Sequence, residues 1–270
     1  MRARSLSLWA AVVLLLLASG ARAQSSNAET AQNKGIDTAL LAKAQAGDAN
    51  AEFQIGYEYE NGEGVPEDFT KAAFWFRKAA EQGNADAQNE LALLYGDGKG
   101  VPQNYAEMTA WFHKAAEQGN AKAQEALGMI YESGEFVQQD YRQAAMWYRK
   151  AADQDNADAQ FSLAGLYLKG EGVPQDLSEC ARWTRKAAEQ ENLQAQEALG
   201  LSYAVGKGVP VDLVEGYFWL DIAAAGNSES QDQEQWAKNR DDIAANLTRA
   251  QLAQVQERAA AWFSAHPPKQ

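Results

Sequence analysis

The stretch Ala51–Gly83, AEFQIGYEYENGEGVPEDFTKAAFWFRKAAEQG, decides the fold because it comes back. From Ala87 the chain reads AQNELALLYGDGKGVPQNYAEMTAWFHKAAEQG, and the same frame restarts at Ala123, Ala159 and Ala195. Trp75, Trp111, Trp147, Trp183 and Trp219 keep a constant step of 36 residues. Tyr59, Tyr95, Tyr131, Tyr167 and Tyr203 keep it too, as do Val65, Val101, Val137, Val173 and Val209. Five units without an insertion mean a stacked solenoid, in which each unit buries its apolar face only against its neighbours. The expected fold is an all-α solenoid of five 36-residue helix pairs, at 48–83, 84–119, 120–155, 156–191 and 192–227.

Each unit divides into two helices. Ala51, Ile55 and Tyr59 form an i, i+4, i+8 stripe that predicts a first helix from Ala49 to Glu60. Gly62 and Gly64 stop it, and Pro66 cannot continue a helix. Asp68 stands where an N-cap belongs, as do Asn104, Asp140, Asp176 and Asp212 in later units. The second helix is predicted from Phe69 to Glu81, burying Phe69, Ala72, Trp75, Phe76, Ala79 and Ala80. Gly56, Ala92, Gly128, Ala164 and Gly200 fall where the paired helices cross, and the five tryptophans read as core wedges between units.

The flanks follow from the same logic. Arg2 and Arg4, the apolar run Leu8 to Ala18 and the Ala21-Arg22-Ala23 site make residues 1–23 an expected export signal, with a mature start at Gln24. Residues 24–34 are polar and aperiodic, and are expected to be disordered. Residues 35–47 resemble the end of a repeat and form an expected N-terminal capping half-repeat. In the fifth unit Ile222-Ala223-Ala224 replaces Lys-Ala-Ala, so an apolar position needs cover. Residues 228–264 are expected to supply it as two helices, Gln233 to Ala245 and Arg249 to Phe263, the second N-capped by Thr248. Its stripe is Leu252, Val255, Ala259, Trp262 and Phe263, and His266-Pro267-Pro268 opens a tail at 265–270.

Charge narrows the partners. The net charge of −13 becomes −16 once Arg2, Arg4 and Arg22 leave with the signal, and such a surface repels nucleic acid and anionic membrane. No nucleic-acid binding is expected, and no membrane insertion after signal cleavage. Cys180 is the one cysteine, in the slot of Ala72, Met108, Ala144 and Gly216, and reads as a small buried hydrophobe. His113 and His266 lack ligand-type neighbours, so neither a metal nor a cofactor is expected. The third loop, GEFVQQD, puts Phe136 in place of glycine and Gln138 in place of proline. It reads either as drift or as an exposed aromatic open to a partner.

The patterns LGxxYxxGxGVxxD and KAAxWxxKAAxxGxxxAQ, carried by Leu127-Gly128 with Tyr131 and by Leu199-Gly200 with Tyr203, Gly206, Gly208 and Val209, resemble Sel1-like repeats. These are relatives of tetratricopeptide repeats, and the resemblance covers 48–227. The tail from Arg240 to Phe263 is similar to the closing segment of exported bacterial members. The resemblance implies a right-handed superhelix acting as a binding scaffold, with the partner on the concave face lined by the first helices. Carried along the repeat columns, that face holds Phe53, Tyr57, Glu60, Asn89, Leu93, Glu125, Met129, Glu132, Phe161, Leu168 and Leu201. So much apolar area beside acids suggests a partner segment with apolar anchors and basic flanks.

The function expected is a non-catalytic protein–protein scaffold of the bacterial envelope, periplasmic or secreted, and a monomer or weak dimer. Two alternatives stand beside it. One is a secreted factor binding host proteins. The other is an enzyme, because disulfide-rich members of the resembled family are associated with β-lactam binding and hydrolysis. This chain has one cysteine where those relatives have a pair per repeat, and it has no Ser-x-x-Lys or GxSxG motif.

Overall fold

The computed structural model describes residues 35–226 and 232–266. The expected export signal, the polar stretch 24–34 and Pro267-Pro268 lie outside the described residues. The described chain holds 13 helices and no strand. They are α1 (Thr38–Gln45), α2 (Ala49–Asn61), α3 (Phe69–Glu81), α4 (Ala85–Asp97), α5 (Tyr105–Glu117) and α6 (Ala121–Ser133). After these come α7 (Tyr141–Ala152), α8 (Ala157–Lys169), α9 (Leu177–Glu189), α10 (Leu193–Val205), α11 (Leu213–Ala225), α12 (Asp232–Ala244) and α13 (Arg249–Ala265). The chain divides after Asp140 into two compact units, one holding α1–α6 and the other α7–α13. Within each unit, successive helices up to α12 pack on each other, and α11 meets both α12 and α13. The fold is the all-α solenoid of helix pairs that the period demands.

Local chemistry places the helix ends. Asp48, Asn84 and Asn120 accept from the amides of Ala51, Ala87 and Ala123, so each first helix starts on its own cap. Asp68, Asn104, Asp176 and Asp212 cap the second helices in the same way, each worth about 1 kcal/mol. The cap asparagines also reach back one repeat. Asn84 donates to Asn50, Asn120 to Asp86 and Asn192 to Asp158, at 2.8–3.0 Å. At two of the crossing points a methyl group has no room: a Cβ on Gly56 would meet the Phe76 ring, and one on Gly200 would meet Leu220 and the Gly216 carbonyl, whereas Ala92 and Ala164 fit theirs buried.

The joints between repeats are polar as well as apolar. Gln88, Gln124, Gln160 and Gln196 are buried and donate to the carbonyls of Ala80, Ala116, Ala152 and Ala188, satisfying the open ends of second helices. Their column mate Glu52 is ion-paired with Lys78 at 3.0 Å. Outer rungs close the ladder: Gln82 donates to Glu52, Gln118 to Gln88 and Gln190 to Gln160. Arg77 donates to the Tyr95 hydroxyl, Arg149 to Tyr167 and Arg185 to Tyr203, while His113 pairs with Tyr131. Trp111, Trp147, Trp183 and Trp219 are buried wedges, and Trp75 is half-buried.

Two expectations need correction. Phe136 is half-buried and stacks on Tyr105, with ring centroids 4.2 Å apart, so it is not a free aromatic. Its slot explains why. Gly100, Gly172 and Gly208 occupy it elsewhere, each packed so closely on the backbone at the start of an earlier second helix that a Cβ would collide. A phenylalanine there must turn its ring onto the neighbouring side chain instead. Cys180 is half-buried rather than buried. The Thr184 hydrogen bond and the charge of Lys207, from the loop of the next repeat, favour its thiolate. Burial still pushes the thiol pKa up, so it stays protonated and is a poor nucleophile.

Candidate functional site

In the first unit the candidate face is built by α2, α4 and α6. Phe53 leans on Phe76 of α3 with centroids 5.7 Å apart, and on Tyr57 at 6.5 Å. Tyr57 is 44% exposed, a large aromatic left in solvent by a helix whose other apolar stripe is buried. Beside the two rings lies a cavity of about 290 Å³, walled by Asp86, Asn89 and Glu90 of α4 and by Asn120, Ala121 and Lys122 at the start of α6. Leu93, Met129, Glu60 and Glu132 are half-buried along the same face.

Asn89 and Glu125 do not belong to an open surface. Asn89 is 2% exposed and Glu125 8%, against the expectation that both face a partner. They share the column of Phe53, which lies on the flank of the first helix that looks towards the next repeat. For Asn89 the covering element is the first turn of α6, which helps to wall the same cavity. The amide of Asn89 is turned inwards and donates to Glu90 at 3.2 Å. Glu90 was not among the expected site residues. It precedes the core residue Leu91 in a column otherwise filled by Gln54, Ala126, Ser162 and Ala198, and that contrast was its one signal.

These carboxylates are poorly solvated. Burial, reinforced by Glu90, Asp97 and Glu67, pushes the Glu60 pKa up to about 7, with Lys99 the one opposing charge. Glu90 is also raised, first by burial and then by Asp86, against the Asn89 hydrogen bond and Lys122. The first-unit face therefore joins exposed aromatic area to carboxylates whose opposing cations, Lys99 and Lys122, do not offset their burial.

The second unit carries the remaining expected residues on α8 and α10. Phe161 is half-buried and packs on the core cluster that includes Leu199 and Tyr203. Leu168 is half-buried too, whereas Leu201 is 38% exposed. Val205, one turn beyond Leu201, and Val211 in the loop after α10 are well exposed, which repeat columns filled elsewhere by Asn61, Asp97, Glu67 and Gln103 did not announce. Among the described residues no cluster of His, Cys, Asp and Glu could hold a metal ion, and no helix is long and apolar enough to cross a membrane.

Comparison with family models finds the Sel1 repeat at residues 49–84, 85–120, 121–156, 157–192 and 193–228. Among solved structures, a protective antigen present in uropathogenic Escherichia coli strains and displaying an SLR fold is 37% identical, with a TM-score of 0.74. That match covers 83% of this chain and 47% of the antigen, so this chain spans about half of that protein. A Sel1 repeat protein from Oxalobacter formigenes is 33% identical, with a TM-score of 0.68, over 73% of this chain and 81% of that one. Comparison with curated proteins gave no match. With five consecutive Sel1 units over most of its length, in the helix-pair architecture those relatives share, the chain belongs to the Sel1-repeat family.

Proposed function

We propose that this protein is a non-catalytic scaffold of the bacterial cell envelope that holds a segment of a partner protein against its first-helix face. Sel1-repeat solenoids are in general protein–protein interaction scaffolds. The observation that carries the finer reading is Tyr57, an exposed aromatic ring over a cavity walled by under-neutralised carboxylates. Apolar anchors gain from the ring and basic flanks gain from the acids, which matches helix-in-groove and extended-peptide recognition. The export signal read at residues 1–23 supports a place outside the cytoplasm, as does the description of the E. coli relative as a protective antigen.

The test is a photoreactive residue at Tyr57, with a control at Phe74, an exposed aromatic on the second helix of the same repeat. A distinct protein captured from Tyr57 and not from Phe74 supports the reading. Equal capture from both, or none, removes the first-helix face. Fractionation in the same cells separates an envelope scaffold from a factor released into the medium, and an N-terminal mass at Gln24 checks signal cleavage.

A further inference from the structure

The cavity on the first unit is about 290 Å³, just under the range of about 300–1,000 Å³ usual for small-molecule sites, and it suits one long side chain. Its walls divide by chemistry. Phe53 and Tyr57 form an aromatic side, and Glu90 and Asp86 form an acidic one. Asp86 already accepts from Asn120 at 2.8 Å. Glu90 accepts one neutral donor, Asn89, and a carboxylate has room for about four. Glu60, outside the wall, feels the charge of Glu90. The one cation in the wall is Lys122, exposed at the rim.

We infer that this cavity receives a lysine or arginine side chain from the partner segment, its methylene stem lying on Phe53 and Tyr57 and its charged end directed to Glu90 and Asp86. The inference rests on the first-helix face being the binding surface. Charge complementarity names the occupant. A neutral or acidic side chain would leave Glu90 with only the rim cation Lys122 and the Asn89 amide against its charge, whereas a cation adds a direct partner and gains from the aromatic faces. The protein uses the same pairing internally, with the Lys114 ammonium 3.6 Å from the centre of the Trp111 ring.

Docking is coupled to protons. Around Glu60 stand Glu90, Asp97 and Glu67, with Lys99 in opposition; around Glu90 stand Asp86, Asn89 and Lys122. Burial raises the pKa of Glu90 in the wall, and an arriving cation favours its ionised form. Binding therefore weakens as falling pH returns the proton to Glu90.

The test titrates the full-length mature chain with two capped tripeptides, leucine-lysine-leucine and its norleucine counterpart, which keeps the stem and removes the charge. Ring signals of Phe53 and Tyr57 are followed by NMR. The lysine peptide is expected to move them and the norleucine peptide is not. Its affinity should fall as the pH is lowered and Glu90 is neutralised. Glu90→Gln should weaken it about tenfold or more. Lys122→Ser removes the competing charge and should tighten it, a gain that misfolding cannot produce. Equal binding of both peptides, or unmoved Phe53 and Tyr57 signals with either, overturns the receptacle. Capture of a partner at Tyr57 that persists in Glu90→Gln overturns it while leaving the binding face intact. No capture at Tyr57 in the unaltered protein removes the face itself.

Discussion

The fourth and fifth repeats occupy the same unit and share one sequence frame, yet equivalent side chains do different things. In the fourth, Glu179 accepts from the Trp183 indole at 3.2 Å, Lys186 lies over the same ring, and Arg185 donates to Tyr203. Gln190 completes the ladder by donating to Gln160 at 2.8 Å. In the fifth, Glu215 is paired with Arg258 of α13 and the buried Trp219 indole nitrogen has no partner among the described residues. Asp221 replaces the arginine and pairs with Arg240 of α12 at 3.1 Å. Ile222 replaces the lysine, is 3% exposed, and shares a cluster with Val255 and Ala259, with Trp262 and Phe263 packed on it. Gly226 replaces the glutamine, and the buried Gln196 Oε1 lacks the rung that its column mates receive. A repeat position is thus defined by what stacks on it. Where the next element is a capping helix rather than another repeat, the same column changes from cation to anion or from polar to apolar.

The largest effect that sharpens this contrast is Trp183→Ala, which should cost about 3–5 kcal/mol in urea unfolding, because the ring is fully packed between repeats. Restoring the repeat pattern where it is broken should also be harmful. Ile222→Lys places an unpaired ammonium in the cap cluster and should cost about 2–4 kcal/mol, whereas the reverse change, Lys186→Ile, should stay within about 1 kcal/mol. Equal losses for the two would mean that α13 does not seal the fifth repeat.

A smaller effect separates a partnered buried acid from an unpartnered one. Glu60 has a folded pKa of about 7 against an ordinary 4.5, so its cost to stability is absent below about pH 4.5, grows as pH rises, and is complete above 7. Glu60→Gln should therefore be more stable than the parent by about 1–2 kcal/mol at pH 8 and equal to it at pH 4, read as the difference in urea midpoint at each pH. A variant that is less stable at pH 8 would show that Glu60 has a cation of its own. Smallest is Asp221→Ala, which removes one of two carboxylates on Arg240 while Asp241 keeps the other at 2.8 Å, and should lose about 0.5 kcal/mol in urea unfolding.

What the sequence determined alone was whatever is local or periodic. The 36-residue step of Trp75 to Trp219 specified stacked helix pairs because a unit of this size cannot bury its apolar face by itself. Asp68, Asn104, Asp176, Asp212 and Thr248 marked helix starts because a cap acts on amides two or three residues away. The need for cover over Ile222 was legible for the same reason, as a break in a column. The tertiary structure alone decided how open each column is. Asn89 and Glu125 turn inwards, Phe136 lies on Tyr105, and Glu60 and Glu90 sit among too few cations. Exposure and pKa depend on the atoms that a neighbouring repeat lays over a residue, and those atoms lie about a full repeat away in the chain, beyond the reach of any local pattern.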